Sequence, residues 1–291
     1  MDLPDMAADK PSFLLIHGAW HGAATWRHLI PLLEAHGHIV RAYDLPGAGA
    51  NAKAPAASLR QPHDAAALAT EPSPNAGVTQ ADRTQAAIGW IEDMHRQTGL
   101  PVVLVGHSMG GLTVTAVAES RPELVSAAVY LSAYMLPPGE LPGAVRRHPT
   151  MSGSLIGALA IGDPQKTGAA RIDPHNPDPA YRDLVKRAFY GQIDDAMLDE
   201  NLAHMHCDEP LTVLTAPSPM TRERFGSVPR HYFRALNDES VLPAAQERMI
   251  AAVDDAMGNR TMVHTLPSSH SPHVTHPAEL AEQLSALART L

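Results

Sequence analysis

The stretch Val102-Val103-Leu104-Val105-Gly106-His107-Ser108-Met109-Gly110-Gly111 leaves this chain few ways to fold. Its branched apolar residues predict a buried strand. With no spacer they run into GHSMG, a GxSxG pattern, and then into a helical segment from Leu112 to Glu119 that Arg121-Pro122 stops. A strand that reverses into a helix within one or two residues forces the turn residue into a strained conformation. Gly106 and Gly110 remove the side chains that would keep strand and helix apart. Such a turn lifts the Ser108 hydroxyl clear of the sheet edge and aims the helix N-terminus, with its free N–H groups and positive dipole end, at the same point. Ser108 is therefore the candidate nucleophile.

The rest of the 291 residues alternates strand and helix signals, which predicts one large α/β domain with a mostly parallel, doubly wound sheet. A net charge of −9 with no Lys/Arg block argues against nucleic acid or an anionic membrane as partner. The single cysteine, Cys207, excludes an internal disulfide framework and fits a reducing compartment. The start of the chain, MDLPDMAADKPS, is acidic and lacks the basic and apolar regions of a signal peptide, and no apolar run approaches membrane-spanning length. A cytoplasmic enzyme is expected.

In chain order, Phe13 to Ile16 reads as a strand opening into His17-Gly18-Ala19-Trp20. Trp26, Leu29, Ile30 and Leu33 then recur at helical spacing, with Thr25 as N-cap and Gly37 as stop. Ile39 to Tyr43 is a second strand, and the Ala/Pro-rich stretch from Ala50 to Gly77 is expected to be an extended insertion without regular elements. Thr79 to Asp82 makes a capping-box start for the helix carrying Ile88, Ile91 and Met94. Beyond the strand Ala127 to Leu131, residues 134–228 are rich in Pro, Gly, Met and His, with short helices at Tyr181 to Tyr190 and Asp194 to His204. This segment reads as a cap inserted between core parts 1–133 and 229–291. The alternation resumes with a strand at His231 to Leu236 and a helix opened by Pro243. A strand at Thr261 to Leu266 follows, and then a final helix with the stripe Leu280, Leu284, Leu287 and Leu291.

A serine hydroxyl needs a base in reach, and the base needs a partner that fixes its tautomer. Asp238 follows one core strand and His270 follows the last, so both loops open on the Ser108 edge of the sheet. The order Ser108, Asp238, His270 is that of an α/β-hydrolase. Glu239 competes as the acid and His273 as the base, while His107 and His21 read as core or surface residues. Oxyanion donors are expected at the backbone N–H groups of Met109 and Ala19. His204-Met205-His206-Cys207-Asp208 has the HxHxD spacing of a dinuclear metal site, but Glu209 stands where a closing histidine would, and the preceding stretch looks helical. No metal is expected there.

With these residues in hand, the chain resembles an α/β-hydrolase with an inserted cap. Within that superfamily it is similar to the branch of plant hydroxynitrile lyases, plant methyl-ester esterases and bacterial aryl- and pyrethroid-type carboxylesterases. HGAWHGAATW (17–26), the 31–49 run, GHSMGG (106–111), YFRALNDESVLPAAQERM (232–249) and LPSSHSPHVTHPAELAEQL (266–284) carry the likeness. It implies a Ser108, Asp238, His270 triad, oxyanion donors at Ala19 and Met109, no cofactor, and a pocket roofed by the cap. The lyases resembled carry threonine after the strand-end histidine and lysine after the catalytic histidine, where this chain has Gly18 and Ser271. A serine carboxylesterase for a small-to-medium, largely apolar ester is expected, a methyl ester of a secondary metabolite being one candidate. A carbon–carbon lyase and a small-molecule receptor are the alternatives, and a homodimer is compatible with either enzyme.

Overall fold

The computed structural model describes residues 10–191 and 193–291, so the acidic start of the chain, from Met1 to Asp9, lies outside the described residues. Strands β1 (Ser12–Ile16), β2 (Val40–Ala42), β3 (Val102–His107) and β4 (Val125–Leu131) come first in the chain. A short pair, β5 (Ala169–Arg171) and β6 (Asp208–Pro210), lies between them and the last two core strands, β7 (Arg230–Ala235) and β8 (Met262–Leu266). Six form one sheet in the order β2-β1-β3-β4-β7-β8, every pair parallel, and β5 and β6 form an antiparallel ribbon.

A parallel sheet needs cover on both faces, and the alternation of its strands supplies two apolar faces. Leu14, Ile16, Leu104 and Tyr232 point to one side, against Ile88 and Ile91 of the helix Gln80–Thr98, Val117 of Gly110–Ser120, and Val253 of Pro243–Met257. Phe13, Leu15, Val103, Val105 and Phe233 point to the other, against Trp26, Leu29, Leu280 and Leu284. A third cluster lies above the carboxyl ends of the strands and joins Trp20, Met109 and Tyr134 to Val145, Leu159, Ile172 and Phe189 from between β4 and β7. Met220, Phe225 and Val228, late in the same segment, pack instead with the first layer.

The capping box forms as expected, with Thr79 accepting from the Asp82 N–H and Asp82 from that of Thr79. Three local expectations are corrected. The first helix is split into a 3-10 turn Ala23–Trp26 and the helix Ile30–Ala35. Pro31 suits a first helical turn, and the Thr25 hydroxyl, instead of capping, pairs with His273 Nε2 at 2.8 Å. Within 50–77 a helix spans Ala65–Thr70, because Asp64 caps the Ala67 N–H in the gap between Pro62 and Pro72. The final helix is Pro277–Ala288, so Leu291 falls outside its stripe and is exposed.

Candidate active site

The turn at Ser108 is as tight as its glycines require. Ser108 holds φ 52°, a left-handed conformation uncommon for a side-chain-bearing residue. A Cβ on Gly106 would lie 2.7 Å from Val114 Cγ2, and one on Gly110 would lie 2.6 Å from the carbonyl oxygens of both Ile16 and His17. Neighbouring backbone fixes the strained residue, since Ser108 N–H donates to Leu131 O and its carbonyl accepts from Tyr134 N–H.

Two loops bring the other residues in. Asp238 follows β7 and His270 follows β8, and His270 Nδ1 meets Asp238 Oδ2 at 2.8 Å with both side chains buried. The Asp238 carboxylate is held further by the Ser240 and Val241 N–H groups on Oδ1 and by Gln246 Nε2 on Oδ2. Donation from Nδ1 to the carboxylate leaves Nε2 as the acceptor on the far edge of the ring. Ser108 Oγ and His270 Nε2 share no hydrogen bond among the described residues, and in unliganded sites that contact commonly closes only with substrate.

The competing residues go elsewhere. Glu239 points to the surface and pairs with Arg187 at 2.8 Å. His273 is buried between Thr25 and the Trp26 ring, and burial holds its pKa well below the ordinary histidine value. His107 is a core residue whose Nε2 meets the His270 carbonyl at 3.0 Å, so it braces the backbone of His270. Of the HxHxD stretch, His204 is exposed and Asp208 is engaged by Arg171.

Two further histidines, His17 and His21, shape the loop of Ala19. Leu45 N–H donates to His17 Nε2, so His17 Nδ1 carries the proton it gives to Gly18 O at 2.9 Å. His21 Nδ1 likewise meets Ala19 O at 2.7 Å, while its Nε2 meets the Tyr190 hydroxyl at 2.8 Å. Burial keeps both rings neutral, lowering the pKa of His17 to about 3 and that of His21 to about 4. With the carbonyls of Gly18 and Ala19 tied back, the Ala19 N–H remains free. Neither it nor the Met109 N–H hydrogen-bonds to the chain among the described residues. Trp20, at φ 60°, donates its indole N–H to Ala170 O of the ribbon at 2.9 Å.

Ser108, Ala19 and Met109 line one narrow cavity of about 30 Å3. Its walls are mostly apolar, from Trp20, Ile156, Leu214 and Val241. Buried Tyr134 and Ser240 and two charged residues, Glu209 and Arg146, complete them.

The family described as the alpha/beta hydrolase family matches residues 13–283. Pyrethroid hydrolase of Sphingobium wenxiniae is 26% identical over 281 residues, covering 94% of this chain and 86% of its own length. Methylesterase 1 of Arabidopsis thaliana is 26% identical over 287 residues and 96% of both chains. Among solved structures, a pyrethroid hydrolase superposes with TM-score 0.72 at 24% identity, covering 96% of this chain and 98% of its own. Polyneuridine aldehyde esterase superposes with TM-score 0.70 at 22% identity, covering 96% and 99%.

Proposed function

The chain belongs to the alpha/beta hydrolase family, and on that premise we propose that it is a serine carboxylesterase with Ser108, Asp238 and His270 as its triad. The buried 2.8 Å contact between His270 Nδ1 and Asp238 Oδ2 carries this reading, because it orients an imidazole whose free nitrogen is an acceptor. Ser108 Oγ attacks the ester carbonyl carbon and gives its proton to His270 Nε2. The carbonyl oxygen, now an oxyanion, takes hydrogen bonds from the Ala19 and Met109 N–H groups. As the tetrahedral centre collapses, the C–O bond to the alcohol breaks and His270 returns the proton to the leaving oxygen. Water, deprotonated by the same nitrogen, then attacks the acyl-enzyme. This releases the acid and restores Ser108.

Two observations favour hydrolysis over the lyase reading. At Gly18 even a bare Cβ would lie 2.8 Å from Ser108 Cβ, so the threonine of the resembled lyases does not fit this loop without a shift. Ser271 places no cation beside the base. The apolar character of the walls favours a largely apolar ester, a class to which simple methyl esters belong. Residues of the segment between β4 and β7 supply Tyr134, Arg146, Ile156, Glu209 and Leu214 to those walls, which supports its reading as a cap. Turnover of p-nitrophenyl acetate and butyrate, abolished in Ser108→Ala, is expected. Tight ligand binding with no turnover of any ester would replace this reading with that of a receptor.

A further inference from the structure

The ribbon above the site carries two adjacent carboxylates that are treated differently. Strand alternation sends Asp208 and Glu209 to opposite faces. Asp208 meets Arg171 with both oxygens, Oδ1 to Nε at 2.5 Å and Oδ2 to Nη2 at 2.9 Å, in a fully buried pair. Glu209 is equally buried, but only Oε1 is engaged, by Arg83 Nη1, and the fork stays half open: Arg83 Nη2, like Glu209 Oε2, has no hydrogen-bond partner among the described residues. Glu209 Oε2 has no hydrogen-bond partner in the chain among the described residues, and Glu209 lines the cavity that holds Ser108. A buried bridge that only fastened the ribbon to the helix Gln80–Thr98 would gain by engaging both oxygens, as Asp208 does. An unmet buried acceptor costs about 1–3 kcal/mol.

We propose that Glu209 Oε2 is a substrate-recognition point, and that the preferred ester carries an uncharged hydrogen-bond donor, a hydroxyl or phenol, on the part lying against the ribbon. The donor is uncharged because Arg83 already balances the carboxylate; an ammonium would meet a neutral pair instead of a free anion. The donor is required because a site built around a buried acceptor leaves that acceptor unpaired when a deoxy analogue binds. This specificity rests on the esterase reading above.

The test compares methyl phenylacetate with its 2-, 3- and 4-hydroxy derivatives. Wild type should favour at least one hydroxylated ester by about tenfold or more in kcat/KM, the range of a hydrogen bond to a charged group. In Glu209→Gln the amide oxygen should stay with Arg83 and the NH2 should replace Oε2, so that preference should fall to about one or invert. A wild-type ratio near one for all three derivatives would overturn the proposal. So would an unchanged ratio in Glu209→Gln accompanied by a uniform loss of kcat, the mark of a purely structural bridge. If Glu209→Gln does not fold, the unmutated protein still decides: 2-, 3- or 4-hydroxyphenylacetamide should inhibit or bind about tenfold more tightly than phenylacetamide, and equal affinities would refute it. Binding of the amides to Ser108→Ala separates the two readings, since it reports Glu209 even if no ester is turned over.

Discussion

Asp238 accepts four hydrogen bonds, and only one of them comes from the imidazole it orients. The other three fix the carboxylate itself, so its geometry does not depend on His270. Ser108→Ala should therefore leave a folded protein with background activity only. Asp238→Asn should cost on the order of ten-thousandfold in kcat by mis-setting the tautomer. The double variant should be about as inactive as Ser108→Ala, because a base with no nucleophile to activate contributes nothing. A double variant far below the serine variant, in matched steady-state assays, would assign Asp238 to the fold instead. Gln246→Met removes a donor from Asp238 Oδ2 and strands the Val241 carbonyl and the Ala235 N–H. A loss on the order of tenfold in kcat with little change in KM is expected, since one hydrogen bond to a charged group is lost. A pure KM effect would contradict that role.

At the scale of elements, the insertion at 50–77 and the ribbon are fastened by one side chain. Arg171 is fully buried, chelates Asp208 and donates from Nη1 to the carbonyls of Leu68 and Glu71. Arg171→Leu leaves a buried carboxylate and two carbonyls unpaired and should destabilise the protein by about 3–5 kcal/mol in urea unfolding. Arg171→Met combined with Asp208→Leu should recover much of that loss, because the uncompensated charge is gone. No recovery would mean that the carbonyl contacts to 68 and 71 dominate. None of this was legible in the sequence, where the Ala/Pro stretch showed only its prolines. Ser108 and the Thr79–Asp82 box were legible because their determinants lie within a few residues. Gln246, Glu209 and the ribbon were not, because their partners stand 8, 126 and about 40 residues away and no periodicity marks them.

For the whole molecule, the buried histidines set the response to acid. His17 and His21 keep their protons off until pH about 3 and 4, and His107 and His273 are also held well below the ordinary value, all chiefly through burial. The unfolded chain binds a proton at each below about pH 6.5. Unfolding therefore takes up protons between those limits, and the stability present above 6.5 is lost as pH falls. Each such histidine costs up to about 1.4 kcal/mol per pH unit. The combined loss of several kcal/mol between pH 6.5 and 5.5 should lower Tm by on the order of 10 °C. A Tm that stays flat from pH 7 to 5 would show that these rings are not held neutral. The sheet order has a consequence in time as well as in space. Ser108 follows the central strand β3, but its proposed base, His270, follows β8, an edge strand that among the described residues pairs with β7. β8 can complete the sheet only after β7 has paired with β4, about 100 residues earlier in the chain, and closing so long a loop is slow. On a ribosome Ser108 emerges long before the imidazole proposed to activate it. Esterase activity should therefore appear only once β8 and the loop after it are in place, and its recovery on refolding should mark completion of the whole sheet.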